Sequence, residues 1–184
     1  MTYWFTSDTH FGHANIIRYS NRPYKTVDEM NEALIANWNA VVKPDDIIWH
    51  LGDFAFLPPD KIEAILMRLN GRKNLCFGNH DKTLRKEKRL LGTYFERYGD
   101  KAALKIPHQA GEQRIVLNHY PELTWDQGHR GAWMLHGHCH GTTLHPWGGK
   151  IQDVGVDPMG MKPVSFEELG VMMAPRAFSK HHDV

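Results

Sequence analysis

Two histidines in the C-terminal third of the chain have the spacing of paired metal ligands. His138 and His140 flank Cys139, and glycines stand at positions 137 and 141. Residues 132–135 are apolar and predict a strand that delivers this motif. Side chains two apart on extended backbone point the same way, so both imidazoles would face one point. Converging imidazoles suit a transition metal, although a histidine-rich surface loop would give the same pattern.

A second pair with the same spacing follows the first predicted strand, at residues 3–6. Asp8 and His10 would share a face at the carboxyl end of that strand, where open α/β sheets place their ligand sites. An Asp-x-His sequence is also typical of a simple turn. His13 and Arg18 follow at nearly helical spacing, and they are either substrate-contacting residues or part of a solvated helix face.

Three further strand ends carry groups of the same kind. Asp53 follows the apolar segment 47–51, and Asn79-His80-Asp81 follows segment 74–77. His119 follows the second strand of a predicted hairpin. One such residue would be weak evidence, but five segments that each end in ligand-type side chains argue for one common site.

The elements that would position these groups follow from periodicity and capping. Thr26 and Pro58 begin helices that alternate with the first three strands, which predicts a largely parallel sheet with right-handed crossovers. The second half is richer in strands. Its predicted elements are a hairpin of segments 102–106 and 113–118, strands at 132–135 and 150–156, and a terminal helix capped by Ser165.

Composition limits the class of protein. A chain of 184 residues predicts one domain over residues 1–184, and a net charge of +1 gives no preference for nucleic acid or membranes. The two cysteines, Cys76 and Cys139, lie far apart in unlike contexts, which predicts a reducing compartment and a cytoplasmic protein. No signal peptide or membrane span is evident, so we expect no membrane partner.

In order and spacing, five motifs resemble those of the calcineurin-like metallophosphoesterase family over roughly residues 1–157. They are Asp8-Thr9-His10, Gly52-Asp53, Gly78-Asn79-His80-Asp81, His119 and Gly137-His138-Cys139-His140. The opening motif also resembles that of compact bacterial and phage-type members. The resemblance implies a four-layer α/β/β/α sandwich with a dinuclear metal site at the strand ends. Many members have Glu where this chain has Asp81, and both side chains are carboxylates.

The resemblance also implies a role for each motif residue. Six residues would bind two metal ions: Asp8, His10 and His140 at the first, and Asn79, His119 and His138 at the second. Asp53 would bridge both ions, since a carboxylate has two oxygens. His80 would act as a general acid or charge stabiliser, with Asp81 orienting it. Oxygen and nitrogen ligands without thiolate fit Mn, Fe, Ni or Zn.

The implied reaction is hydrolysis of a phosphoester. Two divalent cations roughly 3.5–4 Å apart lower the pKa of a bound water towards about 7, which supplies hydroxide for in-line attack. Metal removal would leave Asp8 and Asp53 repelling each other, so we expect it to lower both stability and activity.

The substrate class is open at this stage. The chain has no large insertion to serve as a specificity cap, which favours a small or exposed substrate such as a nucleotide-type phosphodiester or monoester. A basic run at residues 82–89 keeps a nuclease acting on nucleic-acid ends as an alternative. A non-catalytic scaffold of the same fold is a further alternative. A retromer subunit that resembles this family is an example of such a scaffold. The complete ligand set and His80 argue against it.

Several other histidines and aromatic residues have simpler interpretations. His50 and His136 lie within strands and are expected to be core residues or to support the ligands. His145 is expected in a loop, with a place in the pocket wall as the alternative. His181 and His182 in the tail are expected to have no specific role. Three loop aromatics could stack on a nucleobase or pack on their own domain: Tyr120, Trp125 and Trp147.

Overall fold

Two β-sheets form the framework of the chain, which the computed structural model describes over residues 1–108, 111–142, 145–146 and 148–178. The strands are β1 (Tyr3–Thr6), β2 (Ile47–His50), β3 (Arg72–Cys76), β4 (Phe95–Gly99), β5 (Lys101–His108), β6 (Gly111–Asn118), β7 (Trp133–His136), β8 (Ile151–Asp153) and β9 (Val164–Ser165). The helices are α1 (Ala14–Tyr19), α2 (Val27–Val41), α3 (Pro59–Leu66), α4 (Lys82–Lys86), α5 (Lys88–Tyr94) and α6 (Phe166–Met173). Trp147, His181 and His182 lie outside the described residues.

The first sheet has the strand order β4-β3-β2-β1-β9. Its first four strands are parallel, and only β9 runs antiparallel, against β1. The parallel pairs β1–β2 and β2–β3 are joined by crossovers that contain α2 and α3, as the alternation of strands and helices predicts. Parallel pairing brings the carboxyl ends of β1, β2 and β3 to one edge of the sheet.

The second sheet has the order β5-β6-β7-β8. The predicted hairpin is confirmed, because β5 and β6 pair antiparallel along their whole length. From β6 onward the strands are parallel, so β6 and β7 both end at the same edge of this sheet. The two sheets together confirm the expected mixed α/β architecture.

Alternation along the first sheet divides its apolar side chains between two cores. On one face, Ile48 and Leu75 pack against the stripes of α2 and α3, which include Met30 and Ile62. On the other face, Phe5 and its neighbours pack against the second sheet. The rule that successive strand residues point to opposite faces accounts for this division.

The outer face of the second sheet has a smaller core. It contains Val116, Met134 and Ile151 from three strands, covered by Trp125 from the loop that follows β6. The Trp125 indole donates to the Ala132 carbonyl at 2.9 Å, so this ring is a structural group and not a base-stacking one.

The helix caps follow the sequence closely. The Ser165 hydroxyl accepts from the Glu168 N–H at 3.1 Å, and the Glu168 carboxylate accepts from the Ser165 N–H at 2.8 Å, a complete capping box. Thr26 caps α2 in the same way by accepting from Glu29. The Glu29 carboxylate, however, accepts from Lys25 and not from Thr26, so this box is incomplete.

Two strands and one boundary differ from the expectation. β4 carries three exposed residues out of five, and β9 has two residues, so neither has the apolar run that marks a strand. The last predicted strand, 150–156, forms β8 over three residues only.

The basic run at 82–89 forms α4 and the start of α5. Among the described residues, no helix is long and apolar enough to cross a membrane.

Candidate metal centre

The predicted ligand side chains meet where β1, β2, β3, β6 and β7 end. Two groups each place three ligand atoms within 4.8 Å of one another: Asp8, His10 and His140 in the first cluster, and Asp53, His119 and His138 in the second cluster. Each group could hold a metal ion. Asn79 adjoins the second cluster, because its Oδ1 lies 3.0 Å from the His119 Nε2.

Asp53 lies between the two clusters. Its Oδ2 is 3.7 Å from the His10 Nε2 and 3.6 Å from the His119 Nε2. One carboxylate therefore faces a ligand nitrogen of each cluster. This position between the two clusters suits a bridging ligand.

The two carboxylates are held by backbone groups in the same way. The Asp8 Oδ2 accepts from the His138 N–H at 2.9 Å, and the Asp53 Oδ1 accepts from the His80 N–H at 2.8 Å. The other oxygen of each carboxylate faces its cluster. Fixing one oxygen orients the second, so both carboxylates are preorganised for a cation.

Two histidines are oriented through their Nδ1 atoms. The His119 Nδ1 lies 2.8 Å from the Leu51 carbonyl oxygen, and the His140 Nδ1 lies 2.6 Å from the Asp157 Oδ2. Both partners accept only, so each Nδ1 carries the proton and each Nε2 presents a lone pair to its cluster. Such hydrogen bonds set the tautomer and the ring direction of metal-binding histidines.

Asp157 and Arg22 contact the first cluster and were not predicted from the sequence. The buried Arg22 guanidinium donates to both Asp157 oxygens, at 2.8 and 2.9 Å, and to the carbonyls of Asp8 and Thr9. It therefore joins the first motif to His140 through Asp157. Asp157 directly follows the predicted strand 150–156 and is not among the predicted site residues. The signal available was another carboxylate placed directly after a strand region.

Opposing effects act on the ionisation of this pair. Burial alone would lower the pKa of His140, but the hydrogen bond to Asp157 and the charges of Asp8 and Asp157 outweigh it and raise the pKa. Burial would raise the pKa of Asp157, but hydrogen bonds from His140 and Arg22 lower it. Asp157 is therefore held as a carboxylate.

The first cluster contains buried polar atoms that fit a cation. The Asp8 Oδ1 and both ring nitrogens of His10 are buried and have no hydrogen-bond partner. Burial raises the pKa of Asp8 to about 8 and lowers the pKa of His10. A buried carboxylate oxygen and a buried imidazole without partners are costly, and a divalent cation would bind the Asp8 Oδ1 and one of the His10 nitrogens. The donor set therefore fits the metal that the sequence predicts.

Backbone conformation, and not strand alternation, aims these ligands. Five of the seven predicted ligands have positive φ angles between 49° and 68°: Asp8, His10, Asp53, His138 and His140. The expectation that His138 and His140 share a face on extended backbone was wrong. β7 ends at His136, and the two histidines belong to different clusters. Left-handed backbone at several non-glycine positions is strained and is typical of functional sites.

Two glycines allow the motif loops to approach one another. A Cβ at Gly137 would overlap the Ser7 hydroxyl and the Asp8 carboxylate. A Cβ at Gly78 would overlap the Asp53 carboxylate and backbone. Both glycines therefore make room for a ligand side chain from another loop.

The match to a family model agrees with this geometry. Residues 1–159 match the model described as calcineurin-like phosphoesterase. The chain belongs to the calcineurin-like phosphoesterase family. The matched segment contains all seven predicted ligands and both candidate catalytic residues.

Proteins similar to this chain occur in an archaeon and in a phage. An uncharacterized protein of Methanocaldococcus jannaschii is 35% identical over 171 residues, which cover 89% of this chain and 86% of that protein. The gene 66 protein of Mycobacterium phage L5 is 30% identical, in an alignment that covers 90% of this chain and 91% of that protein. A solved structure of a protein of unknown function from Aquifex aeolicus superposes with a TM-score of 0.67 at 28% identity, and covers 93% of this chain and 98% of that one.

Asp81 does not have the position expected from the family resemblance. Its Oδ2 accepts from the N–H groups of Asp53 and Gly78, and its Oδ1 accepts from the N–H of Phe54, all at 2.8 Å. The carboxylate thus ties two motif loops together instead of orienting the His80 ring. Burial raises the pKa of Asp81, and the three backbone hydrogen bonds partly offset this rise.

His80 and His13 lie at the rim of the centre, whereas the only side-chain contact seen for Arg18 among the described residues is with its neighbour Tyr19. The His80 Nε2 is 4.0 Å from the Asp53 Oδ2, and 44% of its side chain is exposed. The His13 ring lies 5.6 Å from His10. Arg18 is exposed on α1, with its guanidinium 5.2 Å from the Tyr19 ring.

His50 and His136 are buried and belong to neither cluster. The Gly52 N–H donates to the His50 Nδ1 at 3.2 Å, so the His50 Nε2–H donates to the Thr9 hydroxyl at 3.0 Å. His50 thus joins the loops after β1 and β2. His145 lies in a loop, as expected, and lines a cavity of about 630 Å³ together with His136 and Asp153.

The basic run is partly neutralised by acids. Arg85 pairs with Asp100 at 2.5 Å, and Arg89 pairs with Glu63 at 2.5 Å. Two of the five cations in this segment are therefore engaged on the surface of the protein. The nucleic-acid alternative gains no further support from this arrangement and stays a prediction.

Proposed function

We propose that this chain hydrolyses a small or exposed phosphoester at a centre of two divalent transition metal ions. The single observation that carries the proposal is the position of the Asp53 Oδ2, within 3.7 Å of a ligand nitrogen of each cluster. A carboxylate at this position between two cation sites has a clear role in a dinuclear centre and none in a simple scaffold.

The proposed ligand sets follow the two clusters. Asp8, His10 and His140 would hold the first ion, Asn79, His119 and His138 would hold the second, and Asp53 would bridge both. The orphaned Asp8 Oδ1 and His10 nitrogens support the first set. The ligand types suit Mn, Fe, Ni or Zn. When bound, the two cations supply a nucleophile at neutral pH and a positive site for the phosphate.

His80 is the proposed acid for the leaving oxygen. Its backbone N–H is fixed on Asp53, and its half-exposed ring points its Nε2 toward the centre. The ring is accessible to a substrate that enters from solvent, whereas Asp8, Asp53 and His119 are buried. The residue can therefore hold a proton at its Nε2 and pass it to the departing alkoxide. Asp81 supports this step indirectly by fixing the loops that carry Asp53 and Gly78.

The proposed substrate is a nucleotide-type phosphodiester or monoester. His13, at the start of α1 and beside His10, and the exposed Arg18 on the same helix are the proposed contacts for a second anionic group of such a substrate. A reducing, cytoplasmic compartment is part of the proposal, because Cys76 and Cys139 lie in separate segments of the sequence without the spacing of a disulfide framework.

The test is hydrolysis of bis-p-nitrophenyl phosphate and p-nitrophenyl phosphate, side by side. The protein is stripped of metal and then supplied with Mn, Ni, Zn or Mg. We expect metal-dependent turnover that Asp53→Asn and His80→Ala reduce by at least about a hundredfold. Asp60→Asn, an exposed carboxylate on α3, is the matched control.

Each outcome has a distinct meaning. Preferred turnover of one substrate separates a phosphodiesterase from a phosphatase. Absence of turnover with every metal, in protein that is folded and metal-loaded, would contradict the proposal and favour the scaffold alternative.

A further inference from the structure

Two exposed aromatic rings stand beside the candidate metal centre, one next to each cluster. Phe56 and Tyr120 keep 38% and 45% of their surface exposed, although both contact site histidines. A single exposed aromatic residue needs no explanation. Two exposed rings that border the same centre offer a substrate two apolar surfaces for packing.

Phe56 belongs to the side of the first cluster. Its ring stacks on His13 with centroids 4.1 Å apart and an angle of 14°, and lies 4.6 Å from His80 and 5.6 Å from His10. Its N–H donates to the Phe11 carbonyl at 2.8 Å, which fixes the backbone. The ring is therefore held in place, with an exposed part left over for contact with a ligand.

Tyr120 belongs to the side of the second cluster. Its ring lies 4.6 Å from His138 and 5.0 Å from His119, and its hydroxyl is 3.3 Å from the Asn79 Oδ1. Pro121 follows directly in the chain and restricts the backbone of Tyr120. Both rings are thus oriented by groups of the centre itself.

The positions of the two rings match the two substituents of a phosphodiester. A phosphate bound at the metal centre beside Asp53 would project one substituent toward His80 and Phe56. It would project the other toward His138 and Tyr120. A monoester has one organic substituent and would leave one ring without a partner. Aromatic side chains bind planar rings by stacking, with little dependence on the identity of the ring.

We propose that Phe56 contacts the leaving group and Tyr120 contacts the retained group of a phosphodiester that carries planar aromatic substituents, such as nucleobases. This inference rests on the proposed function, since it places the phosphate at the same centre. It assigns the leaving group to the Phe56 side because His80, the proposed acid, packs against that ring.

The test compares the binding of two anions that contain no ester bond. Diphenylphosphinate and dimethylphosphinate have equal charge and differ in their rings. We expect metal-loaded protein to bind the diphenyl compound about tenfold more tightly by calorimetry. Phe56→Ala and Tyr120→Ala should each lower this preference by about fivefold, and Tyr120→Phe should preserve it. Tyr98→Ala, an exposed ring on β4, is the matched control and should leave the preference unchanged.

An equal preference in the wild-type protein and both alanine variants would overturn the inference. If Phe56→Ala lowers the melting temperature, Phe56→Leu keeps the apolar volume and should still reduce the preference. The result is separable from the proposed function. Turnover of p-nitrophenyl esters without the ring preference would overturn only the inference. The ring preference without turnover of any ester would overturn hydrolysis and leave the binding assignment in place.

Discussion

The Asp157 Oδ2 accepts a hydrogen bond of 2.6 Å from the His140 Nδ1, and Arg22 holds the same carboxylate from its other side. This contact sets the tautomer of His140 and directs its Nε2 to the first cluster. It also connects two loops that are far apart in the chain, because Arg22 additionally binds the carbonyls of Asp8 and Thr9. The geometry of the first cluster thus depends on residues that bind no metal themselves.

Asp157→Asn should weaken metal binding. The amide cannot accept from His140 and Arg22 as a carboxylate does, so the His140 ring loses its fixed orientation. Loss of such a supporting carboxylate lowers metal affinity by about 10–100-fold. Competition between the protein and a fluorescent chelator for Mn measures the affinity. Asp60→Asn is the control, and an equal affinity in both variants would contradict the role of Asp157.

Removal of metal should destabilise the protein more at high pH than at low pH. The pKa of Asp8 is raised from 3.8 to about 8 in the protein without metal, mainly by burial. Between these values the folded state binds a proton that the unfolded state has lost, so stability without metal falls as the pH rises. Bound metal keeps Asp8 ionised and removes this penalty.

Melting temperatures with and without a chelator, at pH 5.5, 7 and 8.5, measure this effect. The difference between the melting temperatures with and without chelator should increase as the pH rises. The variant Asp8→Asn has no carboxyl group to ionise at this position. The melting temperature of its metal-free form should therefore change less with pH. A melting temperature that chelation leaves unchanged at every pH would contradict the prediction.

His50 should make the protein sensitive to acid. Burial lowers its pKa from 6.5 to about 3, so the unfolded state binds a proton between these values that the folded state does not. Stability is then lost as the pH falls below 6.5. One proton is worth about 1.4 kcal/mol per pH unit, which gives about 2 kcal/mol between pH 6.5 and pH 5.

Urea denaturation of the wild-type protein and His50→Gln over this pH range tests the assignment. The glutamine variant retains an amide for the Thr9 and Gly52 contacts but does not titrate. Its free energy of unfolding should fall less steeply with acid than that of the wild-type protein. Parallel curves would show that His50 is not the group responsible.

Gly137→Ala should disrupt the centre, whereas Gly92→Ala should not. The added methyl at position 137 would overlap Ser7 and Asp8, while position 92 on α5 has open space around it. We expect Gly137→Ala to cost about 1–3 kcal/mol and to abolish tight metal binding. Gly92→Ala should be neutral or stabilise α5 by up to about 1 kcal/mol. Unimpaired metal binding in Gly137→Ala would contradict the close approach of the two loops.

Local sequence was sufficient for much of the fold. Apolar runs marked β1, β2 and β7, and the Ser165 and Glu168 pair marked the start of α6. β4 and β9 carry no such pattern, because pairing at a sheet edge and not burial of both faces makes them strands. Pairing partners far apart in the chain are not visible in a local window.

The residues of the site could be predicted from the sequence, but the hydrogen bonds that connect them could not. Ligand-type residues after strands identified the members of both clusters. Strand alternation wrongly placed His138 and His140 on one face, because their backbone is left-handed and they belong to different clusters. The true partners of Asp81, three backbone N–H groups, and the chain from Arg22 to His140 depend on contacts between distant segments. Side-chain type alone does not reveal such contacts.

The central claim is that Asp53 bridges two metal ions held by these clusters. Titration of chelator-treated protein with Mn(II), followed by electron paramagnetic resonance, tests it most directly. We predict two Mn per chain and the multiline spectrum of a magnetically coupled pair, which Asp53→Asn converts to the six-line signal of isolated ions. One Mn per chain, or two uncoupled ions in the wild-type protein, would contradict the claim.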